Sequence, residues 1–407
     1  MVSARNLRMA GLLALAALPV LSAAPRVVVV PLLTAQEAPA LIRSADRLVW
    51  DRETGTAVAE VNGYAPDLAL SEVRDVAEDT SFEAALASTL PEFAVRRESG
   101  SQGLSRFAVK EPARRTKPGN LVRTDRIEAG APSRTESTCL FEGFETLPIW
   151  EEDGGAWWHY QGGQPYNAVG DYFWQDADCD AFGGSWSADA VLGGDLGLQL
   201  PCWADYADLT DSWLEYAPWI TCAYGAPSAD LSFYGKLLTE AGYDYFYYLA
   251  SLDGVDYYGY RLSGDFSDVW YAFSQDLRRW SGLGDLTAQP RFALAFAFQS
   301  DGVTPAGFHG FGARVDSLSL STASLAVDSV YKKGGPFRLY VYGEGFLPGA
   351  WVYVDGQAVP TVKYKHSGLL VAKGGTALKA MMPFGQPVCV TVVNPGGATS
   401  ICYTFVR

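Results

Sequence analysis

Between residues 229 and 320 the chain repeats one pattern: a short run of alternating, β-branched or aromatic residues, then a stretch rich in Gly, Asp and Ser. The runs are Ala229–Tyr234, Tyr243–Leu249, Tyr257–Leu262, Val269–Phe273, Phe292–Phe298 and Ala313–Leu320. A period of two marks a strand with one buried face, whereas a helix needs apolar residues three and four apart over a longer window. No long helical pattern fills the gaps. The pattern therefore predicts an antiparallel sandwich rather than βαβ units. Asp253-Gly254 adds a tight-turn signal between two of the runs.

At 407 residues the chain is too long for one small core and suits two or three domains. Its formal charge of −15 is unevenly spread. Residues 25–137 carry 15 basic and 17 acidic side chains, residues 138–320 carry 6 and 26, and residues 321–407 carry 8 and 3. These shifts set expected boundaries near 137 and 321. The predicted fold class is all-β, with a jelly-roll sandwich over 138–320 and an immunoglobulin-like sandwich over 321–407. Ahead of them lie a leader (1–23), a small N-terminal segment whose order the pattern leaves open (24–95) and a linker (96–137). The linker holds Arg114, Arg115, Lys117, Arg123 and Arg126. With no stacking aromatics between them, these read as a solvated basic run. The overall acidity argues against a nucleic-acid partner. With only 3 His, a site built on clustered imidazoles is not expected.

The first residues have the order of a secretory signal: Arg5 and Arg8, an apolar run Ala10–Leu21, then Ser22, Ala23 and Ala24. The run is shorter than the roughly 20 residues a spanning helix needs, and no second segment reaches that length, so no membrane span is expected. Six cysteines fit an exported chain: Cys139, Cys179, Cys202, Cys222, Cys389 and Cys402. CxxC zinc spacings are absent. Cys389 and Cys402 flank the turn signal Asn394-Pro395-Gly396-Gly397 and are expected to bond. The other four allow three pairings. The predicted location is secreted or cell-surface.

Cys139-Leu140-Phe141-Glu142-Gly143-Phe144, then Tyr243-Asp244-Tyr245, Ser251-Leu252-Asp253-Gly254 and Gly310-Phe311-Gly312-Ala313-Arg314-Val315-Asp316 give residues 139–320 a family likeness. This region resembles the jelly-roll domains of the MAM and immune-inhibitor-A-associated type. The resemblance implies a structural Ca²⁺ between Glu142 on the opening strand and Asp316 on the closing strand. Secreted proteases that carry such domains have a zinc HExxH helix, and this chain has none. Farther on, Gly343-Glu344-Gly345-Phe346, Pro348-Gly349, Val352-Tyr353-Val354, Asp355-Gly356 and the close from Val388 through Asn394 to Ser400 resemble an IPT/TIG domain over about 324–407. The resemblance implies a small immunoglobulin-like module that serves as a spacer or contact surface.

Two constellations remain. Asp176, Asp178 and Asp180 form a DxDxD run, with Asp205, Asp208 and Asp211 following. Carboxylates at alternate positions can converge on a hard cation when the backbone loops around it, which makes this a second candidate for structural Ca²⁺. The EF-hand spacing is not met. Trp157, Trp158, Tyr160, Trp174 and Trp186 lie in or near glycine-rich stretches and are candidate rings for stacking on sugars. On a strand, alternation would send Trp157 and Trp158 to opposite faces. There is no HExxH or GxSxG, and His159, His309 and His366 fall in different motifs. The sequence is thus read as a secreted, non-catalytic binding or adhesion protein whose partner is a carbohydrate or an extracellular protein. A structural or accessory role in an extracellular assembly, and a hydrolase with an unrecognised site, are the alternatives.

Overall fold

A computed structural model describes residues 25–34, 37–61, 74–75, 80–94, 107–117, 138–163, 170–303, 305, 307–323, 325–395 and 399–407. The expected leader lies outside the described residues, as do Arg123 and Arg126. The chain is all-β. The first strands are β1 (Arg26–Val30), β2 (Ala45–Asp51), β3 (Ala57–Val61), β4 (Arg74–Asp75) and β5 (Phe107–Thr116). Next come β6 (Thr138–Glu142), β7 (Trp157–Gln161), β8 (Phe173–Ala177), β9 (Ser187–Gly193) and β10 (Asp211–Tyr216). Five longer strands follow: β11 (Ala229–Leu238), β12 (Tyr245–Ser251), β13 (Asp256–Asp276), β14 (Ala293–Gln299) and β15 (Gly312–Thr322).

These fifteen strands form one hydrogen-bonded network folded into two layers. The 21-residue β13 runs through both. Its first half pairs with β12 and β5, and its second half pairs with β11. The change of layer falls at Gly264, where φ is +90° and an added Cβ would sit 1.7 Å from the Phe107 carbonyl oxygen, so only glycine fits. One layer then continues β12–β14–β10–β7, and the other continues β11–β15, with β9 and β8 on one side. β11 shows why the sequence folds this way: every second residue, from Ala229 to Leu237, is buried. Phe233 meets Phe296 edge-to-face at 5.2 Å and Phe246 at 6.0 Å between the layers, the arrangement that suits aromatic quadrupoles.

The predicted linker is corrected by β5. Residues 107–116 form an interior strand, antiparallel to β13 on one side and to β2 on the other. Its composition is polar because its charges are matched across strands. Arg115 pairs with Asp211 at 2.7 Å, Lys117 with Glu215 at 2.6 Å, and Glu111 with Arg261 at 2.8 Å. Arg114, Arg115 and Lys117 of the basic run are therefore partners for the acidic segment, and the boundary expected near 137 does not divide the sheet. The N-terminal hairpin and the helix Phe82–Thr89, capped by the Ser81 hydroxyl, add a cluster of their own around Val49, Val58 and Phe107.

After β15 the chain builds a separate sandwich of two four-stranded antiparallel sheets. One comprises β16 (Ala326–Lys333), β17 (Arg338–Glu344), β20 (Thr361–His366) and β21 (Leu369–Lys373). The other comprises β18 (Trp351–Val354), β19 (Gln357–Ala358), β22 (Pro387–Val393) and β23 (Tyr403–Val406). Leu339, Val341, Phe346, Val352, Leu370 and Val390 fill the space between them. Buried Asn394 ties two of the sequence motifs together: its Nδ2 donates to the Gly345 carbonyl at 2.8 Å, and its Oδ1 accepts from Leu347 N–H at 3.0 Å. Cys389 is bonded to Cys402. The remaining pairs are Cys139–Cys222 and Cys179–Cys202.

Candidate binding surface

Four of the five rings singled out in the sequence, Trp157, Trp158, Tyr160 and Trp174, are packed away and do not form a platform. On β7, Trp157 and His159 point between the layers, and Trp158 and Tyr160 point to the other side. Alternation does separate the two tryptophans, yet both faces are packed: Trp157, Tyr160 and Trp174 have no exposed surface, and Trp158 retains 6%. Trp157 lies against Phe144 and Tyr216. Trp158 and Tyr160 join Trp213, Tyr247, Leu249 and Tyr257 in a second cluster, over the alanines of β14. Inside that cluster Glu215 is completely buried. Its Oε2 accepts from Lys117 Nζ and from the Tyr160 hydroxyl at 3.1 Å, and its Oε1 accepts from the Tyr257 hydroxyl at 2.7 Å. Each part of the carboxylate is satisfied, so this is a structural charge.

Most of the acidic candidates are held by their own hydrogen-bond partners. Asp176 accepts from Trp150 Nε1 at 3.0 Å and from Gln175 at 2.6 Å. Asp180 pairs with Lys236 at 2.8 Å and faces the Trp270 indole N–H. Asp178 is exposed beside Cys179 and Cys202. Among the described residues these last three form the one group of metal-ligating side chains that meets within 4.8 Å, and its two sulfurs are bonded to each other rather than free as thiolates. Glu142 accepts from Phe144 N–H at 2.7 Å and Trp157 Nε1 at 3.1 Å; burial raises its pKa above the usual carboxylate value, and these bonds oppose the rise. Asp316 is buried and accepts from the N–H groups of Phe182, Gly183 and Ser317.

A different surface carries exposed rings. Tyr234 and Lys236 are on the outward side of β11. The loop after β8 is fastened over them at three points: the Cys179–Cys202 bond, Asp316 accepting from Phe182 and Gly183, and Glu145 accepting from Ser185 and Trp186 N–H at 2.7 Å. Phe182 stacks on Tyr234 with centroids 3.4 Å apart. Trp203 follows Cys202 with φ of +68°. It meets Phe311 edge-on and covers the Arg314 guanidinium at 4.0 Å, with Lys236 Nζ 5.6 Å away. Arg314 is itself buried and held to Asp189 at 2.7 Å, and its two Nη atoms have no hydrogen-bond acceptor, leaving ring faces as their neighbours.

The result is a fixed surface on which Phe182 (46%), Trp186 (38%) and Trp203 (49%) stay exposed, with Tyr234 and Trp270 half-buried. The Lys236–Asp180 pair sits among them and is partly open to water. Apolar ring faces beside a hydrogen-bonding acid and base can bind a ligand with an apolar face and a hydroxylated edge. Sequence reasoning named Trp186 and Asp180 but missed Phe182, Trp203 and Trp270. The usable signal was the position of Trp203 beside a disulfide cysteine, which holds a loop ring outside the core.

No family model matches the chain, and no curated protein matches it. Among solved structures it is similar to the adhesin domain of Epf from Streptococcus pyogenes, at 9% identity and a TM-score of 0.24, covering 62% of this chain and 92% of that one. At that TM-score the likeness carries no argument about fold or role. Three disulfides are present, and among the described residues no helix is long and apolar enough to cross a membrane.

Proposed function

We propose that the chain is an exported, non-catalytic binding or adhesion protein that recognises carbohydrate through the outer face of the β11–β15 layer. The observation that carries this reading is the two exposed rings beside the Lys236–Asp180 pair, Phe182 stacked on Tyr234 and Trp203 5.6 Å from Lys236 Nζ. Sugar C–H faces stack on the rings, and hydroxyls bond to the acid and the base. The disulfides support an oxidising compartment. Binding of the full chain to an immobilised glycan panel tests the proposal. At least one glycan should be retained by the native chain and released by Trp203→Ala. A panel with no retained glycan sinks the carbohydrate reading.

Leu196 and Leu198, exposed at 43% and 71%, favour a second reading: an extracellular protein partner that covers this region. In that case capture of the partner depends on Leu198→Asp, while the glycan panel stays blank.

A further inference from the structure

Cross-strand register lines up three cations on the small C-terminal sandwich. In its sheet ordered β16–β17–β21–β20, Lys333 stands opposite Arg338, and Arg338 stands opposite Lys373. Leu339 and Ala372, their neighbours along the chain, fill the core, so alternation puts the three cations on the outer face. The next row on that face is Tyr331, Tyr340, Val371 and Lys363. Tyr342 follows on β17 and meets Tyr331 edge-on at 5.6 Å. These two rings are 39% and 61% exposed.

Like charges directly opposite one another destabilise a sheet unless something compensates them. Among the described residues no acid pairs with Lys333, Arg338, Lys363 or Lys373. Arg338 is half-buried, and its Nε is buried with no hydrogen-bond partner. The module has three acids. Asp355 belongs to the other sheet, where it accepts from Cys389 N–H at 2.8 Å. Asp328 and Glu344 lie toward the opposite ends of β16 and β17 from the cation row. The contrast with β5 is sharp: there Arg115 and Lys117 each meet a carboxylate across the sheet.

We propose that this outer face binds a linear acidic polysaccharide, a polyuronate, along the Lys333–Arg338–Lys373 row. Neighbouring strands lie about 4.8 Å apart, so the row presents three positive groups over roughly 10 Å of flat surface. Carboxylates borne on successive sugars supply the missing counter-charge, and the guanidinium can hold one of them bidentately. The exposed tyrosine rings beside the row offer faces for the sugar C–H groups. A nucleic acid fits less well. It carries a phosphate about every 3.4 Å of each strand and is repelled more strongly by residues 138–320, with their 26 acids against 6 bases. The three disulfides also belong to an oxidising compartment, where polysaccharide is the accessible polyanion. The surface lies outside the β11–β15 layer, so the proposal stands independently of the reading given above.

The test is retention of the full chain on immobilised polygalacturonate at low salt, followed by titration with the soluble polymer. The native chain should bind, should be released as salt screens the contacts, and should ignore neutral dextran. Lys333→Gln/Lys373→Gln should lose about tenfold or more in affinity. Lys332→Gln/Lys379→Gln removes the same charge away from the row and should stay within about twofold of native. Both double variants should melt no lower than the native chain, since the exchanged ammonium groups have no acidic partner to lose. Trp203→Ala should leave this binding unchanged. The proposal is overturned if the native chain does not bind polygalacturonate, if the two double variants lose affinity equally, or if single-stranded DNA of matched length binds more tightly than the polyuronate.

Discussion

Two regions of this molecule use the same residue types to opposite ends. On the outer side of β7 and β10, Trp158, Tyr160, Trp213 and Tyr257 surround the Lys117–Glu215 pair; on the outer side of β11, Phe182, Tyr234, Trp203 and Trp270 lie about Lys236–Asp180. The ion-pair distances are nearly equal, 2.6 and 2.8 Å, but the side chains of the first pair are 1% and 0% exposed and those of the second 14% and 24%. In the first region the rings exclude water and the pair is a structural charge. In the second the rings remain on the surface and the pair can exchange its partner for a ligand. Aromatic content therefore does not by itself separate a packed face from an exposed one; the disulfide and backbone bonds that hold the second set of rings outside the core do.

Stability measurements can break this comparison. Trp213→Ala removes a ring with no exposed surface and should cost about 3–5 kcal/mol in denaturant unfolding. Trp203→Ala, removing a half-exposed ring, should cost roughly 1–2 kcal/mol. Equal costs would show that the second surface is merely another piece of core. The lysines give a sharper contrast. Lys117→Met leaves Glu215 buried without its cation and should cost about 3 kcal/mol or more. Lys236→Met should cost about 1 kcal/mol or less, because solvent screens what remains.

A third lysine extends the contrast by pH. Lys110, on the opposite side of β5 from Lys117, is buried and donates to the Ile42 carbonyl at 2.8 Å, above the Tyr260 ring. Burial lowers its pKa from 10.5 to about 8, with Asp46 opposing the shift. Between pH 8 and 10.5 the unfolded chain holds a proton that the folded chain has released, so this group adds stability as pH rises through that window. Urea unfolding of native and Lys110→Met chains should show the gain, roughly 2 kcal/mol, in the native chain alone. Parallel profiles for both would mean that Lys110 is not held without a compensating charge.

The layer strands were legible because each can be read locally. β11 alternates residue by residue, and β14 is an apolar run bounded by polar turns. The β5 strand was not legible, since its partners lie across the fold: Lys117 finds Glu215, and Arg115 finds Asp211, about a hundred positions along the chain. A window that counts charge sees a linker there. The same reason hides which rings are exposed. Trp158 lies on a strand whose outer face is packed, while Trp203 lies in a loop beside a disulfide cysteine, and the packing over β7 is not readable from its own residues. Asp176 and Asp180, four residues apart, likewise diverge because β8 ends between them and the loop turns Asp180 toward Lys236.

The central claim is that ligand binding belongs to the exposed ring surface and not to the buried one. Titrating a glycan retained by the native chain against Trp203→Ala and Trp158→Phe tests it most directly, because both variants keep the fold within reach. Affinity should fall about tenfold or more in Trp203→Ala, from the loss of one stacking ring, and stay level in Trp158→Phe. Unchanged affinity in Trp203→Ala, or loss confined to Trp158→Phe, would contradict the assignment.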